Sequence, residues 1–219
     1  MSEEFISTPV GPARITWYRP DGPASAVAML GHGSATGIES PDLQALAAAL
    51  PARGITVALI TQPYRLARGR SSGGSDERSL DAAWRAVWPR VASLGLPVIS
   101  GGRSAGSQVA SRTAKDLGAV AVLALSYPLL GPGSPRELLA TGVPMLILQG
   151  GLDPYGRPAQ FPPLPADATL IEVPHGNHTF GTTWGSGVSS TEPMSIITDA
   201  VTTWTEQLLA AAPHHPEAV

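Results

Sequence analysis

Short apolar runs alternate with longer stretches of helical spacing along most of the chain, and few folds accommodate that alternation. "AVAMLGHG" (26–33), "ITVALIT" (55–61), "PVISGG" (97–102), "AVAVLALSYPL" (119–129), "VPMLILQGG" (143–151) and "ATLIEVP" (168–174) read as strands. Residues 55–61 show no polar/apolar alternation, so that strand is expected to be buried on both faces. Helical patterns lie between the runs. "SPDLQALAAALPARG" (40–54) opens with a Ser40 cap and Pro41 and stops at Gly54. Residues 75–95 carry the stripe Leu80, Ala83, Trp84, Val87, Trp88 and Val91, with Pro89 expected to kink or shorten the helix. Residues 104–118 close at Gly118, 133–142 form a short helix, and 192–212 form the last one. "ARITWYR" (13–19), followed by a Pro-Asp-Gly turn, reads as an early antiparallel strand. Strand–helix–strand order of this kind implies an α/β fold of three layers, a mostly parallel sheet with helices on both faces.

Composition agrees with one well-buried domain over 1–212, followed by a tail at 213–219 that is expected to fray. Hydrophobic residues make up 43% and charged residues only 14% of the 219. The 24 glycines and 22 prolines are spread as punctuation, with no repeat and no low-complexity block. A net charge of −3 offers no basic face to nucleic acid or anionic lipid. No apolar run nears the roughly 20 residues that span a bilayer, and the first residues lack a signal-like apolar core. There is no cysteine, hence no disulfide and no thiolate ligand or nucleophile. Five histidines, two of them in the tail, show no H-x-H or H-E-x-x-H spacing, so no metal site and no cofactor are expected. The expected setting is cytoplasmic, as a monomer or homodimer, with no nucleic acid or membrane as partner.

In a parallel sheet the chemistry collects at the carboxyl ends of the strands. The residues there are His32-Gly33-Ser34, Gln62-Pro63-Tyr64, Ser104, Tyr127-Pro128, Asp153 and His178. Gly102-Arg103-Ser104-Ala105-Gly106 is a G-x-S-x-G sequence with an apolar strand before it and a helix directly after, the context that a nucleophile elbow requires. Chance could supply the motif in a chain this rich in glycine, with a plain βα turn as the alternative. The chain order Ser, acid, His then points to Asp153, after the next-to-last strand, and to His175 or His178, after the last. His178 is preferred, because His175 follows Pro174 at the mouth of the strand. The backbone N–H of Ala105 and that of Ser34 are the candidate oxyanion donors. "GHGSATG" also approaches a dinucleotide fingerprint, but its third glycine comes one residue late. No acid follows at Thr61-Gln62-Pro63 to hold a ribose.

The forms "GHGSATG", "GGRSAGS", "LSYPL", "QGGLDPYG" and "GNHTF" resemble the α/β-hydrolase superfamily. Within it they resemble the dienelactone-hydrolase-like branch that includes testis-expressed and histone-acetyltransferase-complex-associated hydrolase-like proteins. The resemblance implies Ser104 as nucleophile, Asp153 as acid and His178 as base, in a domain with no large cap. With those roles the expected activity is a serine hydrolase of esterase, thioesterase or lactonase type with a small-molecule acyl substrate as its partner, and the resemblance leaves that substrate open. Tyr64, Tyr127 and Trp184, together with Leu129 and Phe180, lie near strand ends and are candidates for the walls of a substrate pocket. Arg65, Arg68 and Arg70 form either an anion-recognising cluster or a solvated loop. Arg103 either pairs with a carboxylate beneath the nucleophile or faces the site. A binding protein or an acyltransferase on the same fold would read in the same way.

Overall fold

The computed structural model describes residues 1–67, 76–130, 134–182, 189 and 191–211. The described strands are β1 (Ser2–Thr8), β2 (Gly11–Tyr18), β3 (Ala26–Gly31), β4 (Ile55–Thr61), β5 (Val98–Arg103), β6 (Ala121–Leu125), β7 (Met145–Gly150) and β8 (Ala168–Val173). They form one sheet in the order β1-β2-β4-β3-β5-β6-β7-β8. The six strands β3 to β8 run parallel, and β2 pairs antiparallel with both β1 and β4. The helices are α1 (Pro41–Ala49), α2 (Pro63–Leu66), α3 (Glu77–Ala92), α4 (Ala105–Leu117), α5 (Ser134–Leu139) and α6 (Glu192–Ala211). The expected three layers are present.

Two cores explain how the sheet is sandwiched. On one face Trp84, Trp88 and Val91 of α3 and Val109 and Ala114 of α4 pack against Ile15, Trp17, Met29, Ile60 and Val122. On the other, Leu43 and Leu46 of α1 and Ile197 and Val201 of α6 pack against Leu30, Leu59, Leu123 and Leu148. The side chains of β3 to β7 are buried on both faces, as a parallel sheet covered on both sides requires. The chain leaves β3 toward β4 on one side and returns to β5 on the other. The loops after β3 and β5 therefore diverge and open a crevice at their carboxyl ends, where open α/β sheets bind ligands.

The structure departs from the sequence reading at several ends. Ser40 takes the cap position of α1, but its side chain bonds no helix N–H and is buried. That helix stops at Ala49, and a 3-10 turn over Leu50–Arg53 carries the chain to Gly54 at φ 74°. The cap of α3 is Asp76, whose carboxylate accepts the Ser79 N–H at 3.2 Å. Pro89 lies inside α3, which ends three residues later at Ala92. Strand β1 and the four-residue helix α2 were not anticipated. In β1, the polar edge of the sheet, Glu4 accepts from Arg90 at 2.7 Å and from the Trp17 indole at 3.2 Å. The expected frayed tail at 213–219 lies outside the described residues.

Trp84 is fully buried, and its ring lies 3.1 Å from where a Cβ on Gly31 would sit, so it is packed beneath the end of β3. Trp84→Ala should lower unfolding stability by about 3–5 kcal/mol in a denaturant titration, the usual cost of emptying a large aromatic site. A loss under about 1 kcal/mol would mean that this face of the core is not packed as described.

Candidate active site

Ser104 sits between the end of β5 and the first residue of α4 with φ 50° and ψ −120°, a conformation that side chains rarely adopt. Two constraints hold it there. Its N–H extends the β5–β6 pairing by donating to the Leu125 carbonyl at 2.9 Å, while its own carbonyl already accepts from Ser107 N–H at 2.9 Å as α4 begins. The turn between is possible because β3, β5 and α4 nearly touch. A Cβ at Gly102 or Gly106 would collide with the carbonyl oxygen of Gly31. Strain of this kind lifts the Ser104 side chain above the sheet, over the amino end of α4, where first-turn N–H groups have no partner within the helix. Ala105 N–H is one of these.

His178 Nε2 lies 2.9 Å from Ser104 Oγ, and His178 Nδ1 lies 2.8 Å from Asp153 Oδ2. His175, the other candidate, is exposed at φ 58° two residues beyond β8. The loop that carries His178 is folded by Asn177, whose side-chain oxygen accepts from Thr179 N–H, the Thr179 hydroxyl and Gly181 N–H. Phe180 anchors it in the core. The loop sits tightly against β7, because a Cβ on Gly150 would meet the Asn177 carbonyl oxygen at 2.7 Å. Asp153 is buried, and each of its oxygens is engaged. Oδ1 accepts from Tyr155 N–H at 2.8 Å, and Oδ2 also lies 2.9 Å from Gln149 Nε2.

A cleft of about 270 Å³ opens over this row, lined by Ser34, Ala35, Thr36, Arg103, Ser104, Ala105, Gln108, Pro128, Tyr155, His178 and Thr179. The Tyr155 ring stands 4.5 Å from the His178 ring, centroid to centroid, and is half exposed at the rim. The expected aromatic walls lie elsewhere. Tyr127 is fully buried in the core, its backbone N–H and carbonyl both engaged by Gln149. Burial, and the Glu137 carboxylate beyond it, raise its phenol above the ordinary range. Leu129 and Phe180 are core residues, and Trp184 lies outside the described residues. Arg65 pairs with Glu39 at the surface at 3.3 Å, and Arg68 and Arg70 lie outside the described residues. Among the described residues no group of His, Asp or Glu is arranged to hold a metal ion, and no helix is long and apolar enough to cross a membrane.

The model of the alpha/beta hydrolase domain family matches residues 24–206, most of the chain and every residue of the row just described. The chain belongs to the alpha/beta hydrolase domain family. No curated protein matches the sequence. Among solved structures it is similar to a lidless α/β serine hydrolase from Xanthomonas campestris, with 20% identity, a TM-score of 0.76, and 97% of this chain and 96% of that one covered. It is also similar to the dienelactone hydrolase of Anabaena variabilis, with 22% identity, a TM-score of 0.69, and coverage of 94% and 97%. A third likeness is to Est1E from Butyrivibrio proteoclasticus, with 14% identity, a TM-score of 0.74, and coverage of 96% and 100%. At these identities the likenesses speak for the fold. As in the lidless relative, the described residues of this hydrolase-fold chain form no cap over the cleft.

The loop after β3 shows what a hydrolase-fold chain needs behind its site and what motif reading missed. His32 is buried, with Nδ1 2.7 Å from the Gly33 carbonyl and Nε2 accepting Gln62 N–H at 3.0 Å. That network assigns a neutral ring with its proton on Nδ1. The Tyr64 hydroxyl donates to the same Gly33 carbonyl at 3.1 Å. Tyr64 therefore stands behind the loop and is not among the residues that line the cleft. The Gly33–Ser34 peptide is trans, so its carbonyl and its N–H point in opposite directions. The carbonyl is held by His32 and Tyr64, and Ser34 itself lines the cleft. A histidine and a tyrosine at two adjacent strand ends were the available signal, but strand ends do not reveal which way a ring points.

Burial lowers the His32 pKa below its ordinary 6.5. The unfolded chain then binds a proton at a higher pH than the folded one, so this group's contribution is complete above 6.5 and is lost as pH falls through the window beneath it. Stability should accordingly fall as pH drops below about 6.5, and His32→Gln should flatten that dependence. Parallel wild-type and variant curves in denaturant titrations would show that His32 is not buried neutral.

Proposed function

We propose that this protein is a serine hydrolase that cleaves small carboxylic esters, thioesters or lactones by way of an acyl-enzyme. The observation that carries the reading is the unbroken row Ser104 Oγ, His178 Nε2, His178 Nδ1 and Asp153 Oδ2, with spacings of 2.9 and 2.8 Å, opening on the cleft. In this reading His178 Nε2 removes the Ser104 proton as Oγ attacks the substrate carbonyl carbon, and Asp153 stabilises the imidazolium that forms. The N–H groups of Ala105 and Ser34 hold the oxyanion. His178 returns the proton to the leaving group, and water, deprotonated by His178, then releases the acyl group from Ser104. The cleft's modest volume and the absence of a cap among the described residues favour short acyl groups. The half-exposed Tyr155 at the rim offers an apolar surface to one end of the substrate.

The test is hydrolysis of p-nitrophenyl esters of increasing chain length. Wild type should prefer the shortest acyl chains, and Ser104→Ala should lose on the order of 10⁶ in kcat. Asp153→Asn should lose on the order of 10⁴, since the imidazole is then held in the wrong tautomer. Wild-type protein that is folded but hydrolyses none of the series above the Ser104→Ala background would contradict the proposal.

Tyr64→Phe gives a finer test of the Ser34 donor. With one of two bonds to the Gly33 carbonyl gone, kcat should fall about tenfold at unchanged KM, short of the 10²–10³ expected for loss of a whole oxyanion donor. A raised KM at unchanged kcat would make Tyr64 a substrate contact instead.

A further inference from the structure

One buried guanidinium bonds the first turn of α1 and the loops that follow β3 and β8. Arg103 is the last residue of β5, adjacent to Ser104. Its Nε donates to Asp42 Oδ2 at 3.1 Å in the first turn of α1. Its Nη1 donates to Thr36 Oγ1 at 2.9 Å, two residues beyond Ser34. Its Nη2 donates to the backbone carbonyl of His178 at 2.6 Å. The side chains of Arg103 and Asp42 are only 3% and 1% exposed.

Net stability does not account for such a pair. Two charges removed from water cost about as much as their attraction returns, and a well-packed apolar pair of similar volume is often as stable. What an apolar pair cannot do is direct three hydrogen bonds to one helix and two loops from one rigid plane, which the guanidinium fork does. The contacts of the base loop differ in reach. Asn177 and Phe180 fix its internal shape and its seat in the core, and Leu152 N–H ties it to the acid side by donating to the Gly176 carbonyl at 2.9 Å. Beside that packing, the hydrogen bonds from Arg103 to the His178 carbonyl and between His178 and Ser104 join this loop to the nucleophile's end of β5.

We propose that Arg103 is a positioning residue: by holding the His178 carbonyl and Thr36 at once, it sets the base and the oxyanion loop in register with Ser104. The proposal rests on the hydrolase reading above for its kinetic consequences, and on the geometry alone for its structural ones. Asp42 is the counter-charge that keeps the fork in its plane. Lysine at this position would keep the charge beside Asp42 but present a flexible point donor in place of the fork.

Three proteins test this: wild type, Arg103→Lys, and the double variant Arg103→Met/Asp42→Leu, which leaves no unpaired buried charge. Two readouts are taken on each: steady-state ester hydrolysis and the downfield proton resonance of the His178–Asp153 hydrogen bond. For both variants the proposal expects a native circular dichroism spectrum and a kcat lowered about 10- to 100-fold with KM changed less than about threefold, the signature of a displaced reacting group. It also expects a broadened or missing downfield resonance. Should the double variant fail to fold, Arg103→Lys carries the same test. Wild-type kcat together with a sharp resonance in either folded variant would overturn the proposal and leave Arg103 as half of an ion pair. If wild type itself hydrolyses no ester, the hydrolase reading fails, and the resonance comparison still decides whether Arg103 positions His178.

Discussion

The whole site depends on how near three pieces of backbone come to one another. Gly31 at the end of β3, Gly102 in β5 and Gly106 in α4 meet with no room for a side chain on the last two. A strand that turns into a helix at one residue brings the helix this close to the neighbouring strand, and glycines leave room for the approach. The cost falls on Ser104, held at φ 50°. The return is a hydroxyl raised clear of the sheet, over unpartnered N–H groups, and within 2.9 Å of an imidazole carried by a loop 74 residues away in sequence. Trp84 supports the arrangement from below, against Gly31.

Around that turn the protein buries several polar side chains, and their partners are the parts of the site that must be fixed. Gln149 sits at the end of β7, where an apolar residue would pack more easily. Its amide meets the Tyr127 backbone, Asp153 and the Gly156 carbonyl, so one side chain joins the loops after β6 and β7. His32 and Tyr64 serve the loop after β3 in the same way. A buried polar group without partners is costly, so each of these side chains specifies one arrangement of the loops it joins. In the proposed reaction, loops fixed in this way would hold their N–H dipoles ready for a developing oxyanion.

Much of this was legible in the residues. The parallel strands announce themselves as apolar runs because both faces are covered, and the candidates Ser104, Asp153 and His178 follow from what stands at their carboxyl ends. Strand β1 was not legible, because "SEEFIST" is a polar edge strand half facing solvent and carries no burial signal. The pairing of Arg103 with Asp42 was not legible, because nothing local to Asp42 shows that it is buried beneath Arg103. Gln149 was hidden inside an apolar run, although a lone amide in such a run is itself a sign of a buried polar contact. Tyr64 and Tyr127 were misread as pocket walls for one reason. Sequence places a residue at a strand end, whereas ring direction is set by hydrogen bonds that form only once the sheet is assembled. His178 was preferred to His175 on position alone, and the structure sets it 2.9 Å from Ser104 Oγ while His175 is exposed.

The central claim is that Ser104 is an activated nucleophile because His178 and Asp153 are aligned behind it. Reaction with a fluorophosphonate probe, followed by mass spectrometry of the modified peptide, tests it most directly, since the probe requires an activated serine and no knowledge of the natural substrate. The account predicts one adduct, on Ser104, formed quickly in wild type, absent in Ser104→Ala and slowed by orders of magnitude in His178→Ala. Folded wild-type protein that takes up no probe, or that is modified equally fast without His178, would contradict it.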